Sequence, residues 1–212
     1  MQSDQLAALV ATVLTLLLTV GLAIALSRKY MEKRRPSLLF WSLGIWVFAF
    51  TVLLEAVFAI GIYTSALIDA YLFLVALLVE LLALGSIQLI KNRLIKNAYY
   101  ALAAIGAAAT AYSVAVGNVG NLLMQGVVAA LPPDIVIYAS SLATFPAATV
   151  LVIVAAMGYR RTRSLKMVSI IAGVVVVSVA GTLYIASFPS FLYYAEFAGM
   201  LLLWMGFYDF RR

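Results

Sequence analysis

The sequence predicts an all-α integral membrane protein: a bundle of seven transmembrane helices, N-terminus outside and C-terminus cytoplasmic. Composition, the spacing of apolar runs and the placement of basic residues carry this reading. Of 212 residues, 66% are hydrophobic and 10% are charged, against roughly 45–50% and a quarter in soluble domains. Mean hydropathy is +1.12. A folded domain of this size still exposes roughly 30% of the surface of its unfolded chain, so this much apolar surface cannot be hidden from water. Lipid is therefore the expected solvent for most of the exterior.

Seven apolar runs fall at 6–26, 37–62, 67–90, 98–116, 135–158, 168–186 and 191–207, each near the roughly 20 residues a helix needs to cross hydrocarbon. The first lacks a preceding positive flank and is too long for a signal core, so it reads as a retained span. The second and third part at Ile62-Tyr63-Thr64-Ser65, with Ser65 expected as the cap of the next helix. Between the fourth and fifth, residues 121–131 are too short to span and too apolar for a solvated loop. They read either as an interfacial or re-entrant helix or as an extension of the fourth span, stopped by Pro132-Pro133. Pro146 lies inside the fifth run, where it removes a backbone bond and favours a kink, and Pro189 separates the sixth from the seventh.

All fourteen lysines and arginines lie in alternate loops, on one side. Arg28, Lys29, Lys33, Arg34 and Arg35 follow the first span, and Lys91, Arg93 and Lys96 the third. Arg160, Arg161, Arg163 and Lys166 follow the fifth, and Arg211 and Arg212 end the chain. The positive-inside rule places these in the cytoplasm, giving a multi-pass protein of the cell membrane. One missed helix would scramble the segregation. The isoelectric point near 9.6 does not signal nucleic acid: short clusters at helix ends set topology and meet anionic lipid headgroups. Spans one to three and five to seven share one rhythm, compatible with a 3+1+3 arrangement in which span four is the linker.

Composition narrows the chemistry. With no cysteine and no histidine, thiol nucleophiles, Cys-ligated metals, imidazole bases and the usual haem ligands are excluded. Span seven has no lysine to hold retinal, and no Gly-rich phosphate loop or aspartate-rich diphosphate motif is present. The reading is a non-enzyme without cofactor or protein-bound metal.

Glu55, Glu80 and Glu196 lie inside apolar runs, and Asp69 sits near the outer end of the third. Ionisable groups in hydrocarbon face the protein interior or a cavity, and function is the default hypothesis. No span contains a lysine or arginine to pair with them. Protonation, hydroxyl partners or a bound cation remain; the bland reading is neutral carboxyls acting as packing glue. By helical rise Glu55 and Glu196 lie at similar depth, about 10 Å from the outer end, with Glu80 past the midplane. Asp69, Phe73, Ala76 and Glu80 form a stripe down the third span. Supporting polar groups are Thr12, Thr15 and Thr19 on one face of span one, Ser141 and Thr144 in span five, and Tyr193 one turn before Glu196. Ser178 and Thr182 lie one turn apart in span six.

In span four, Ala103, Ala107, Ala111 and Ala115 repeat at every fourth residue, a spacing that admits a close helix neighbour. The expectation is a central helix, with a dimer seam as the alternative. Trp41, Trp46 and several tyrosines near span ends read as interfacial anchors. Together these features favour a transporter or channel with a proton- or cation-linked, or small-molecule, site built from carboxylates. The alternatives are an accessory subunit of a membrane complex, or a receptor without an attached output domain.

Overall fold

The computed structural model describes the backbone of residues 3–62, 64–117, 123–124, 127–128, 132–185 and 189–207, and the side chains of 10–62, 64–117, 132–176 and 194–207. The described residues form seven helices: α1 (Ser3–Lys33), α2 (Pro36–Ala59), α3 (Ser65–Ile87), α4 (Arg93–Val116), α5 (Asp134–Thr162), α6 (Leu165–Ile185) and α7 (Pro189–Phe207). Five of them, α1 to α5, are long and apolar enough to cross a membrane. The described side chains of α6 and α7 cover the shorter apolar stretches Leu165–Val176 and Tyr194–Phe207.

Each helix coincides with one apolar run, but several run past its end. Helix α1 continues through Arg28, Lys29 and Lys33, because good helix formers propagate the backbone ladder after the apolar stretch stops. Helix α4 starts at Arg93, where Asn92 Oδ1 accepts from Leu94 N at 2.9 Å and Ile95 N at 3.4 Å. Helix α2 ends at Ala59, short of the expected residue 62, since Gly61 turns the chain at φ +86°. The cap of α3 is Thr64 rather than Ser65: Thr64 is extended and its hydroxyl accepts from Leu67 N at 3.4 Å, so Ser65 is already helical. Pro146 lies within α5 without ending it.

The expectation of a helix over 121–131 is corrected. Its described residues form a short antiparallel ladder of β1 (Leu123–Met124) and β2 (Val127–Val128), with Leu123 opposite Val128 and Met124 opposite Val127. Paired valines and the glycine at 126 are weak helix formers, and two β-branched residues suit a strand. The other residues of the stretch lie outside the described ones.

Helices α1, α2, α3, α5, α6 and α7 pack in that order as a ring, which α1 and α7 close; α4 lies outside it against α3 and α5. Indole N–H groups tie neighbours together. Trp41 donates to Leu82 O and Ser86 Oγ, both at 3.2 Å, Trp46 to Ser27 Oγ at 3.1 Å, and Trp204 to Leu18 O at 2.9 Å. Trp41 and Trp46 are thus inter-helix donors and not simply interfacial anchors, because a partly buried indole N–H needs an acceptor. Gly85 makes room for one of them: a Cβ there would fall 2.3 Å from Trp41 Cδ1.

The same contacts orient the bundle. Lys29 Nζ reaches Phe207 O at 3.5 Å, Trp41 stacks near Phe207, and Gln88 bonds to Tyr100. A Cβ at Gly206 of α7 would lie 3.0 Å from Lys166 O, so the basic segments after α1, α3 and α5 gather at one end. Phe58, Ile68, Val114 and Val136 form a small core at the other end, separate from the large core around Leu22, Ile45, Ala83 and Met200. Outward, Leu17, Phe50, Ile105, Tyr112 and Phe145 are exposed. In water each would forgo about 1.5–3 kcal/mol of burial; a hydrocarbon exterior removes that cost.

A central place for α4 is also corrected. Of the alanine ladder only Ala103 is buried; Ala107 is half-buried, and Ala111 and Ala115 are exposed. The buried seam is Tyr99, Ala103, Gly106, Thr110, Ser113 and Val114. Four-residue steps advance about 400° at 3.6 residues per turn, so such a ladder drifts about 40° per step off any fixed face. The steps of three and four in the buried seam do not. Ala103→Leu should overfill the seam and cost about 1–3 kcal/mol, whereas Ala111→Leu should cost less than about 0.5 kcal/mol; thermal unfolding of both variants in lipid checks the contrast.

Candidate functional site

The three intramembrane glutamates are all buried: Glu55 is 5% exposed, Glu80 2% and Glu196 8%. They are held at different junctions. Glu55 from α2 and Glu196 from α7 meet with their carboxyl groups in hydrogen-bonding contact. Helices α2 and α7 are not consecutive in the ring, so this contact crosses its interior. From α3, Tyr71 donates its hydroxyl to Glu55 Oε1 at 2.8 Å. Glu55 Oε2 meets no hydroxyl or N–H donor among the described residues. An ionised carboxylate only accepts, so a bond between two carboxyls requires a proton on one of them.

Local sequence explains the placement. Glu55 follows Thr51 and Val52 on the buried face of α2, and Phe58 continues that face one turn later. On α7 the buried residues Ala195, Glu196, Gly199, Met200 and Leu203 recur at helical spacing. Each glutamate thus replaces an apolar residue on an inward stripe, and packing on both sides keeps it in. The Phe58 ring lies edge-on to Tyr71, with centroids 5.7 Å apart, fixing the phenol that serves Glu55.

Glu80 stands apart, at the junction of α3, α4 and α5. Its Oε1 accepts no hydrogen bond among the described residues. It lies against Gly106, where a Cβ would fall 2.5 Å from that oxygen and 3.1 Å from Ala143 Cα. Asp69 is half-buried near the start of α3, and its Oδ1 is likewise without a described donor. The stripe from Asp69 to Glu80 therefore spans two environments rather than one.

Three of the expected supporting groups, Thr15, Thr19 and Thr144, bond back to their own helices. Thr12, Thr15 and Thr19 are buried, but Thr15 donates to Ala11 O at 2.9 Å and Thr19 to Thr15 O at 2.7 Å, within their own helix. Thr144 donates back to Ser140 O at 2.8 Å, and Ser141 is half-buried beside it. The side chains of Tyr193, Ser178 and Thr182 lie outside the described ones. Tyr71 is the partner that sequence reasoning passed over. A tyrosine two turns inside an apolar helix, away from the interface that suits its hydroxyl, was the available signal.

No family model matches the chain, and no curated protein or solved structure matches it. The site's own geometry carries the functional argument.

Tyr71→Phe removes the one described hydroxyl donor to Glu55 Oε1 and should lower stability by about 1–3 kcal/mol, the cost of stranding a buried acceptor. Tyr112→Phe, on the exposed face of α4, should leave it unchanged. Thermal unfolding in the same lipid or detergent compares the two.

Proposed function

We propose that this protein is a proton-linked membrane transporter or channel in which the Glu55–Glu196 pair is the titrating element. The observation that carries the proposal is the carboxyl–carboxyl contact across the ring interior, with Tyr71 as its neutral donor. Two carboxyls and a phenol suit a proton better than a hard cation such as calcium, which takes about six to eight oxygen ligands.

The chemistry follows from charge. With one proton shared, the pair carries at most one negative charge and draws α2 and α7 together. Loss of that proton leaves two like charges; at about 4 Å and an effective dielectric near 20 they repel by roughly 4 kcal/mol. The repulsion favours an arrangement in which the helices part and water reaches the acids. Proton occupancy then selects between two packings, which is the differential affinity a carrier needs.

The basic end of the bundle faces the cytoplasm in this reading, by the positive-inside rule. The pair, nearer the other end, takes its proton from the outside. Helix α4, outside the ring, is the linker of a 3+1+3 arrangement whose two halves close on each other through α3 with α5 and α1 with α7. The cell membrane is the location, and anionic headgroups meet the basic loops.

The test is proton flux into proteoliposomes carrying an internal pH-sensitive dye. Wild type should exceed empty vesicles under an inward proton gradient. Glu55→Gln and Glu196→Gln keep the shape but cannot share a proton, and each should reduce flux about tenfold or more, a factor that needs only about 1.4 kcal/mol. Flux equal to empty vesicles, or unchanged in both variants, would sink the proposal and leave an accessory membrane subunit as the better account.

A further inference from the structure

Glu80 is not used by the pair, and its surroundings are unlike theirs. It fills the space left by the missing side chain of Gly106, between α4 and Ala143 of α5. One turn beyond Gly106 on α4, Thr110 is already engaged: its Oγ1 donates to Gly106 O at 2.9 Å and approaches Ala139 O at 3.4 Å. From α4 the titratable group within reach of Glu80 is the buried Tyr99. From α5 the neighbour is Ala143, and on the α2 side of α3 Gly44 packs on Leu78 and Leu82. Among the described residues no basic side chain pairs with Glu80.

A carboxylate so enclosed, with one oxygen lacking any donor, would cost several kcal/mol to keep ionised. A neutral acid in the same place costs far less. We propose that Glu80 is a second proton-binding site, separate from the Glu55–Glu196 pair, which holds its proton while α4 is docked on α3 and α5. Helix α4 is the element able to expose it, since it lies outside the ring and meets Glu80 at Gly106, in a buried seam that includes the small residues Ala103 and Thr110. When α4 moves off, the Glu80 O–H bond breaks, the electron pair stays on the carboxylate, and the proton passes to entering water. This goes beyond the function proposed above and does not depend on it.

Infrared spectroscopy of the full chain in lipid vesicles tests the inference, because a neutral carboxylic acid has a C=O stretch distinct from that of a carboxylate. At neutral pH, Glu80→Gln should remove one neutral-acid component that survives in the Glu55→Gln, Glu196→Gln double variant. Gly106→Ala should shift the frequency of that component, since the new methyl group displaces the Glu80 oxygen while the acid itself remains. Should Glu80→Gln not fold, the Gly106→Ala shift reads the same acid. The inference is overturned if no component is lost in a folded Glu80→Gln protein, or if Gly106→Ala folds and leaves every neutral-acid component where it was. Loss of that component in the double variant would likewise overturn it, by assigning the proton to the pair.

Discussion

Hydrocarbon offers no hydrogen bonds, so every polar group placed inside this bundle must find its partner within the chain. The Glu55–Glu196 contact is where that constraint presses hardest. Two acids face each other across the ring interior, with a phenol beside them, in a chain whose fourteen basic residues all lie outside the apolar runs. Such a pair cannot be neutralised by a counter-charge. It is tolerable when at least one of the two carboxyls is protonated, and a contact between α2 and α7 then depends on the protonation of two side chains.

The rest of the fold meets the same constraint by spending the second lone pair of helix carbonyls. Leu82 O accepts from both Trp41 and Ser86, Leu18 O from Trp204, and Leu202 O from Ser169 at 2.5 Å. These bonds need helices at close range, and small residues provide it: Gly85 beneath Trp41, and Gly173 against Gly199 O, where a Cβ would lie 3.0 Å away. Polar satisfaction and close packing are thus one device here, seen at successive helix pairs. The acids differ from this pattern because their oxygens are not all satisfied. They are the exceptions to an otherwise well-paired described interior, and exceptions of that kind are where function is sought.

The helices were legible from hydropathy because each apolar run is long and is bounded by charge, proline or glycine. Their polar extensions were not, since α1 through Lys33 and α4 from Arg93 are held by backbone bonds and an asparagine cap that hydropathy does not weigh. The alanine repeat of α4 suggested a fixed face, but its spacing drifts around the helix, and the buried seam runs through Gly106 and Thr110 instead. For the acids, depth could be counted along each span. Facing could not: whether Glu55 and Glu196 point at one another depends on how α2 and α7 are rotated in the ring, which no single-helix pattern encodes. The same blindness hid Tyr71, and it joined Asp69 and Glu80 into one stripe although they sit in different junctions.

Pulsed electron–electron resonance on the ends of α2 and α7 nearer the acid pair tests the central claim most directly. The chain has no native cysteine, so spin labels at Ile60→Cys and Tyr194→Cys, both exposed positions, report on those two helices alone. The account predicts that raising the pH lengthens the label-to-label distance, as the shared proton leaves and the carboxylates repel. It also predicts that adding Glu55→Gln removes this dependence. A distance that does not change with pH, or changes equally with Gln at position 55, would contradict it.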